Sequence, residues 1–159
     1  KEGHHAICRD LLSCQHFHAV NTSTTCEGNA LHLAAQHGKV EVLNLLLDSE
    51  RFTAVNEAMQ VPSYHQDWQG KSGQTALHTA AVHGQQQAVQ TLLDHPRFTQ
   101  VGAVTKSYKD AAAAADAAGH NSLGRMIRDH VKVRQFRRIP NTAGGYGGVI
   151  RRQFDRGIG

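Results

Sequence analysis

Histidine is the residue whose number and spacing first suggest chemistry in this chain. The 159 residues include twelve histidines, and the stretch "ALHLAAQHG" at 30–38 returns as "ALHTAAVHG" at 76–84, each with two histidines five residues apart. Imidazole is a common metal ligand and the usual general acid or base near neutral pH. The pattern has two interpretations, a metal or proton-transfer site and a repeated structural element.

The two stretches belong to a longer internal repeat, which favours the structural interpretation. The segment 38–56 matches residues 3–21 when shifted back by 35 positions and residues 84–102 when shifted forward by 46. Apolar residues recur with helical spacing inside one copy, at Val42, Leu43, Leu46 and Leu47. Each unit therefore predicts a short helix, a glycine turn, a second helix and an extended loop. Such a unit buries its apolar face only by stacking on its neighbours.

The segments "ALHLAAQHGKVEVLNLLL" and "GQTALHTAAVHGQQQAVQTLL" resemble ankyrin repeats. The resemblance covers roughly residues 1–130 and implies an all-α solenoid of stacked helix-turn-helix units with projecting loops. It divides the chain into a half repeat at 1–21, repeats at 28–56 and 73–102, and a C-terminal cap at 108–130. Because residue 1 falls inside a repeat, we expect further residues upstream. The long "HPRFT" form is similar to ankyrin arrays of algal and other protist proteins.

The resemblance also implies structural roles for the repeated histidines and glycines. His32 and His78 occupy the family position at which the imidazole hydrogen-bonds the backbone of the neighbouring turn. The glycines that close helical turns are Gly38, Gly84 and Gly119. Successive histidine copies would lie about 10 Å apart in stacked helices, too far to share a metal at about 2 Å ligand distance. The run "CQHFH" at 14–18 alternates three possible ligands but has no fourth at a recognised spacing, so we predict no metal site and no cofactor.

A lengthened loop at 57–73, "EAMQVPSYHQDWQGKSG", separates the second and third copies. It holds Trp68, the only tryptophan of the chain, together with Tyr64. Large aromatic side chains on a long loop are candidate interface anchors, and ankyrin proteins project finger-like loops at this place. The alternative is a loop that folds back on the stack, with Trp68 covering its edge.

The C-terminal segment 131–159 carries most of the charge asymmetry. The chain has a formal net charge of +4, but this segment contains seven cations against one carboxylate, so the remainder is close to neutral. We predict an extended Gly/Arg-rich tail that lies along a partner. Its predicted contact residues are Phe136, Arg137, Arg138, Tyr146, Arg151, Arg152 and Phe154. Arginine and glycine with interleaved aromatics are also typical of RNA-binding segments.

These features predict a non-catalytic protein-binding scaffold, because no nucleophile motif or nucleotide-binding turn is present. We expect a structural or accessory subunit of a larger assembly, for example an organellar complex such as a photosystem. Two alternatives remain, an RNA- or ribosome-associated protein that binds through its tail and an adaptor module of a longer signalling or effector enzyme. Three cysteines without a C-x-x-C pair favour a reducing intracellular compartment, either the cytoplasm or an organelle such as the chloroplast. No stretch predicts a transmembrane helix, which leaves peripheral membrane association open.

Overall fold

The computed structural model describes residues 3–25, 27–62, 71–107 and 109–138. Helices account for most of this part of the chain. They are α1 (Gly3–Ser13), α2 (Ala30–Gln36), α3 (Val40–Asp48), α4 (Ala76–Val82), α5 (Gln86–Asp94), α6 (Ala111–Ala117) and α7 (Asn121–Arg138). A two-stranded antiparallel hairpin, β1 (Ser23–Thr24) and β2 (Gly28–Asn29), precedes α2. Short 3-10 helices lie at Ala19–Asn21 and Ala54–Asn56.

The helices form two rows, as predicted for an all-α solenoid. Helices α2, α4 and α6 pack successively in an inner row, and α1, α3, α5 and α7 pack successively in an outer row. The inner helices are rich in alanine, so their backbones approach closely, whereas the outer helices supply paired leucines. Leu43, Leu47, Leu92 and Leu93 are fully buried with Phe52 and Phe98 in one continuous core. Stacking therefore buries what each unit alone would expose.

The predicted turn glycines also make room for the next layer. Gly38 and Gly84 adopt φ values of +61° and +67°, which favour glycine because other residues are strained there. A methyl group on Gly38 would meet the side chain of Gln85, which donates a hydrogen bond to the carbonyl of Gln36 at 3.1 Å. One on Gly84 would lie 2.6 Å from the ring of His120. Each glycine thus closes its own turn and admits a side chain of the following repeat.

Two segments differ from the sequence prediction. The loop after each outer helix was expected to be extended, but the loops after α1 and α3 contain 3-10 turns that bury Val20 and Val55. The tail was expected to be extended from residue 131, but α7 continues through Arg138. The helix continues because Val131 packs against the core and Arg134 Nη1 lies 3.5 Å from the carbonyl oxygen of Phe98. Residues 139–159 of the predicted tail lie outside the described residues.

Gly124 sets the close contact between α6 and α7, and replacing it by alanine is expected to destabilise the stack. A Cβ there would lie 2.9 Å from the carbonyl oxygen of Ala112 and would also meet Oδ1 of Asp116. Alanine gains about 1 kcal/mol of helix propensity over glycine, but displacing a packed backbone costs about 1–3 kcal/mol. We expect Gly124→Ala to lower the free energy of unfolding by about 1 kcal/mol net, measured by urea denaturation.

The matched control is Gly102→Ala. No heavy atom lies within 4 Å of a Cβ built on Gly102, and its φ is outside the left-handed region. This substitution is expected to change stability by less than about 0.5 kcal/mol. A Gly124→Ala variant more stable than the control would show that α7 can move away from α6 without loss of packing.

Candidate protein-interaction surface

Each inner helix begins at a side-chain cap that ends a projecting loop. Asn29 accepts hydrogen bonds from the backbone of Leu31 and His32 at the start of α2. Thr75 forms the equivalent capping box with His78 at α4. Asp110 accepts from the backbone of Ala113 at 2.7 Å, at α6. Capping fixes where each loop meets its helix, so the loop bases are positioned by the repeat.

The two buried histidines connect the start of one inner helix to the end of the loop that precedes the next inner helix. His32 Nε2 lies 3.2 Å from the carbonyl oxygen of Gln74, the residue before the cap of α4. His78 Nε2 lies 3.2 Å from the carbonyl oxygen of Lys109, the residue before the cap of α6. In His78, Nε2–H donates to the carbonyl oxygen of Lys109 and Nδ1 accepts from the hydroxyl of Thr75 at 2.9 Å, whereas Nδ1 of His32 lies 2.8 Å from Oδ1 of Asn29. This is the inter-repeat contact that the resemblance implied.

Burial keeps these imidazoles neutral. The ring of His32 is almost completely buried, and desolvation lowers its pKa to about 4, opposed by the hydrogen bond to Gln74. Desolvation also lowers the pKa of His78. A buried ring whose nitrogens are both hydrogen-bonded is not placed to bind a metal or to shuttle protons. The repeated histidines therefore act as joints between layers.

The remaining candidate ligands are scattered. His37 is exposed at the end of α2, and His83 Nδ1 bonds the carbonyl oxygen of Thr79 at 2.9 Å. In the "CQHFH" run, Cys14 and both histidines are exposed. Within the described ranges, no group of three or more His, Cys, Asp or Glu side chains is arranged to hold a metal ion.

The lengthened loop has a well-anchored root. Backbone hydrogen bonds of 2.8 Å join Met59 N–H to Gln74 C=O and Gly73 N–H to Met59 C=O. Met59 and Val61 are buried, with 3% and 4% of their surface exposed. Both predicted aromatic anchors, Tyr64 and Trp68, lie outside the described residues. The stack thus holds both ends of this loop, and contact of its aromatics with a partner stays a prediction.

The ends of the loops next to the inner helices are hydrogen-bonded to one another, and a surface groove lies beside them. The backbone N–H of Lys106 donates to the carbonyl oxygen of Ser72 at 3.1 Å, which links the last loop to the lengthened one. A groove of about 470 Å³ lies between the β1–β2 hairpin and the root of the lengthened loop. Its lining residues are Ser23, Thr24, Thr25, Glu57, Ala58 and Gln60. All but Ala58 are polar and exposed, so the groove suits contact with another macromolecule.

Sequence inspection missed the arginines that cap the outer helices. Arg51 and Arg97 lie in the loops that follow α3 and α5. Arg97 donates from Nη1 to the carbonyl oxygens of Leu47 and Ser49 at 2.6 and 2.7 Å, and from Nη2 to that of Phe52 at 2.7 Å. Arg51 makes the same three bonds one layer earlier, to Leu12, Cys14 and Phe17. The only sign in the sequence was the recurrence of arginine at one repeat position.

Two asparagines add further hydrogen bonds between the same successive outer loops. Asn56 Nδ2 donates to the carbonyl oxygen of Arg97 at 2.9 Å, and its Oδ1 accepts from the backbone N–H of Thr99 at 2.8 Å. Asn21 pairs in the same way with Arg51 and Thr53. Successive outer loops are therefore hydrogen-bonded in both directions, and the histidines link the successive inner loops.

Together these features define a helical-repeat solenoid in which periodic hydrogen bonds set the positions of the loops. A family model for ankyrin repeats matches three copies over residues 1–104, and the chain belongs to the ankyrin-repeat family. The predicted family and fold class are confirmed. Helices α6 and α7 lie beyond the match and form a further layer of the same stack. No curated protein matches the chain significantly.

Family membership establishes a protein–protein interaction module of a class that is in general non-catalytic. The helices of the described ranges include none that is both long enough and apolar enough to cross a bilayer. Among the predicted tail contacts, Phe136, Arg137 and Arg138 fall in the last turns of α7. The other four, Tyr146, Arg151, Arg152 and Phe154, lie outside the described residues, so tail binding stays a prediction.

Proposed function

We propose that this chain is a non-catalytic docking subunit of a larger assembly and that a protein partner contacts its finger surface. The finger surface comprises the described loop segments 22–25, 27–29, 57–62, 71–75, 101–107 and 109–110. One observation carries the proposal: His32 and His78 each bond the loop base of the following repeat at 3.2 Å. Loops held in fixed relation before binding lose less conformational entropy when a partner docks.

The chemistry of the stack supports a binding role. The most strongly buried histidines, the arginine caps and the asparagines form hydrogen bonds between layers, and the 470 Å³ groove is open and lined mostly by polar residues. A substrate pocket usually encloses its ligand within apolar walls with a few convergent polar groups. The finger surface offers hydroxyl, amide and carboxylate groups in a row, which suits a partner of comparable size.

The charge of residues 131–159 supports a second candidate function, RNA binding. Seven cations against one carboxylate would neutralise several phosphates. Binding of that kind weakens steeply as salt rises, because counterions are released on association. Docking through the polar finger surface depends much less on salt. Salt titration and ribonuclease treatment of the assembly therefore separate the two candidates.

Lysine cross-linking of the native assembly tests the docking proposal. Lys106 and Lys109 lie on the finger surface, and Lys39 lies at the opposite end of the inner helices, in the glycine turn; all three are exposed. We expect the tagged full chain to migrate with a large complex that survives ribonuclease. Cross-links to a partner protein are expected at Lys106 and Lys109, with few at Lys39.

Two controls accompany this experiment. Lys39→Arg removes the cross-link acceptor in the turn without changing charge, and Lys106→Arg does so on the finger surface; only the second is expected to reduce partner cross-links. A chain that migrates as a monomer, or a complex dispersed by ribonuclease, would contradict the docking proposal. Partner cross-links confined to Lys39 would place the interface at the glycine turns and would contradict docking through the finger surface.

A further inference from the structure

A second groove lies at the C-terminal end of the stack, between the last finger loop and α7. Its volume is about 340 Å³, and its apolar lining includes Val101, Val104, Ile127 and Val131. Ile127 and Val101 are buried, whereas Val104 is 55% exposed and faces solvent at the edge of the groove. Val104 is bridged to Asp110 across the loop, so its position is set by backbone pairing. The groove is therefore preformed and has an apolar floor.

Two cations, Arg128 and Lys132, form the α7 rim of this groove. The side chain of Arg128 is 45% exposed and donates one hydrogen bond, from Nη1 to Asp116 Oδ2 at 2.6 Å. A guanidinium has five N–H donors, so it can pair with a further carboxylate. The amino group of Lys132 lies 3.9 Å from Asp129 in an exposed pair, which competes weakly with another partner.

The one acidic residue of the lining is already engaged. Asp110 Oδ1 accepts a hydrogen bond from the backbone of Ala113 at 2.7 Å and caps α6. The N–H groups at the start of that helix stabilise the carboxylate without removing its charge. The nearby exposed side chains of Lys106 and Lys109 add positive charge on the loop. The groove therefore presents an apolar floor with positive charge on both sides.

These charges decide between possible occupants. Residues 139–159 of the same chain contain Arg151, Arg152 and Arg156 against Asp155 alone, so the rim cations would repel them. We propose that the groove receives an extended acidic segment of a partner protein. Aliphatic side chains of that segment pack against Val104 and Val131, and its carboxylates pair with Arg128 and Lys132. This inference rests on the proposed docking function and specifies the partner's chemistry at one end of the finger surface.

Selection from a library of short random peptides displayed on phage tests this inference. The full chain serves as bait. Counter-selection uses the full-length double variant Val104→Glu, Lys132→Glu, which keeps the basic C-terminal segment. This step removes peptides that bind only to that segment and not to the groove. Both substituted side chains are more than half exposed, so the fold is expected to persist. We expect enrichment of peptides that combine aliphatic residues with Asp or Glu.

Affinity measurements on the enriched peptides complete the test. Val104→Glu and Lys132→Glu are each expected to weaken binding by about tenfold, since each removes one attractive contact and adds a repulsive charge. The matched controls are Val133→Glu, a 42% exposed valine of α7 outside the groove, and Lys39→Glu in the distant turn. Both are expected to bind within about twofold of the parent chain, because single exposed charges outside a contact have small effects.

Three outcomes would overturn the inference. The first is enrichment of basic peptides, and the second is equal binding of the peptides by the parent chain and the groove variants. The third is flotation of the parent chain with phosphatidylcholine–phosphatidylglycerol vesicles that is lost in the groove variants, because this result would assign the groove to anionic lipid. The cross-linking experiment gives an independent result. If the assembly is intact and cross-links through the finger surface, but no acidic peptides are enriched, only this inference is overturned. If acidic peptides are enriched but the chain forms no assembly, the proposed function is contradicted.

Discussion

Substitution of Arg97 by alanine is expected to lower the free energy of unfolding by about 3 kcal/mol, because three charge-assisted hydrogen bonds disappear together. The guanidinium of Arg97 donates to Leu47, Ser49 and Phe52, all of the preceding repeat. Leu47 and Ser49 lie at the C-terminus of α3 and Phe52 follows in the loop, so removal of the guanidinium takes one donor away from each of these carbonyl oxygens. Urea denaturation followed by circular dichroism gives the change directly.

Two further variants show whether geometry or charge is responsible. Arg97→Lys keeps the positive charge near the C-terminus of α3 but cannot span three carbonyl oxygens with a planar fork. We expect it to recover less than half of the loss. Arg125→Ala removes an exposed arginine of α7 and is expected to change stability by less than about 0.5 kcal/mol. If Arg97→Lys were as stable as the parent, the helix dipole and not the hydrogen-bond fork would explain the cap.

The helices and turns were predictable because their causes are local. The leucine pairs and alanine runs repeat with helical spacing, and a glycine at each turn marks the change of direction. The capping positions also follow from local sequence, since Asn29, Thr75 and Asp110 stand directly before an apolar helix. Family resemblance added the role of His32 and His78, which spacing alone left open between a site and a joint.

The arginine caps were not predictable, because their partners lie far away in the sequence. Arg97 bonds residues 45 to 50 positions earlier, and only the stacked geometry brings them together. The end of α7 was misjudged for a similar reason. The sequence of 131–138 is polar and basic, but Val131 packs against the core and Arg134 contacts the loop after α5, and these contacts extend the helix. Local propensity is overridden where tertiary contacts are available.

The candidate surfaces show the same division. The lengthened loop stood out by its aromatics, yet its root is positioned by the backbone hydrogen bonds of Met59 with Gly73 and Gln74. The C-terminal groove had no sequence signature, since Val104 and Lys132 are 28 positions apart and unremarkable singly. The stacked geometry brings such residues together between the last finger loop and α7. Binding surfaces of this class therefore emerge from stacking more than from motifs.

Acid is expected to weaken the joints that hold the finger bases. The pKa of His32 is about 4 in the folded chain against an ordinary value of 6.5, because burial disfavours the charged ring. The unfolded chain therefore binds the proton more tightly, and stability decreases as pH falls from 6.5 towards 4. His32 alone accounts for a loss of about 3 kcal/mol over that window and about 1 kcal/mol between pH 7 and pH 5.5. His78, whose pKa is also lowered, adds to the loss.

Two glutamine variants isolate the contribution of His32 to the pH dependence of the free energy of unfolding. His32→Gln keeps an N–H donor within reach of the Gln74 carbonyl oxygen but does not titrate, so its stability is expected to vary less between pH 7 and pH 5.5 than that of the parent, by about 1 kcal/mol. His37→Gln changes an exposed histidine of the same repeat and is expected to keep the parent's pH dependence. Identical pH profiles for parent and His32→Gln would mean that the ring gains a proton without loss of stability. The joint between α2 and the α4 loop would then tolerate a charged imidazole, and the finger surface would not depend on its neutrality.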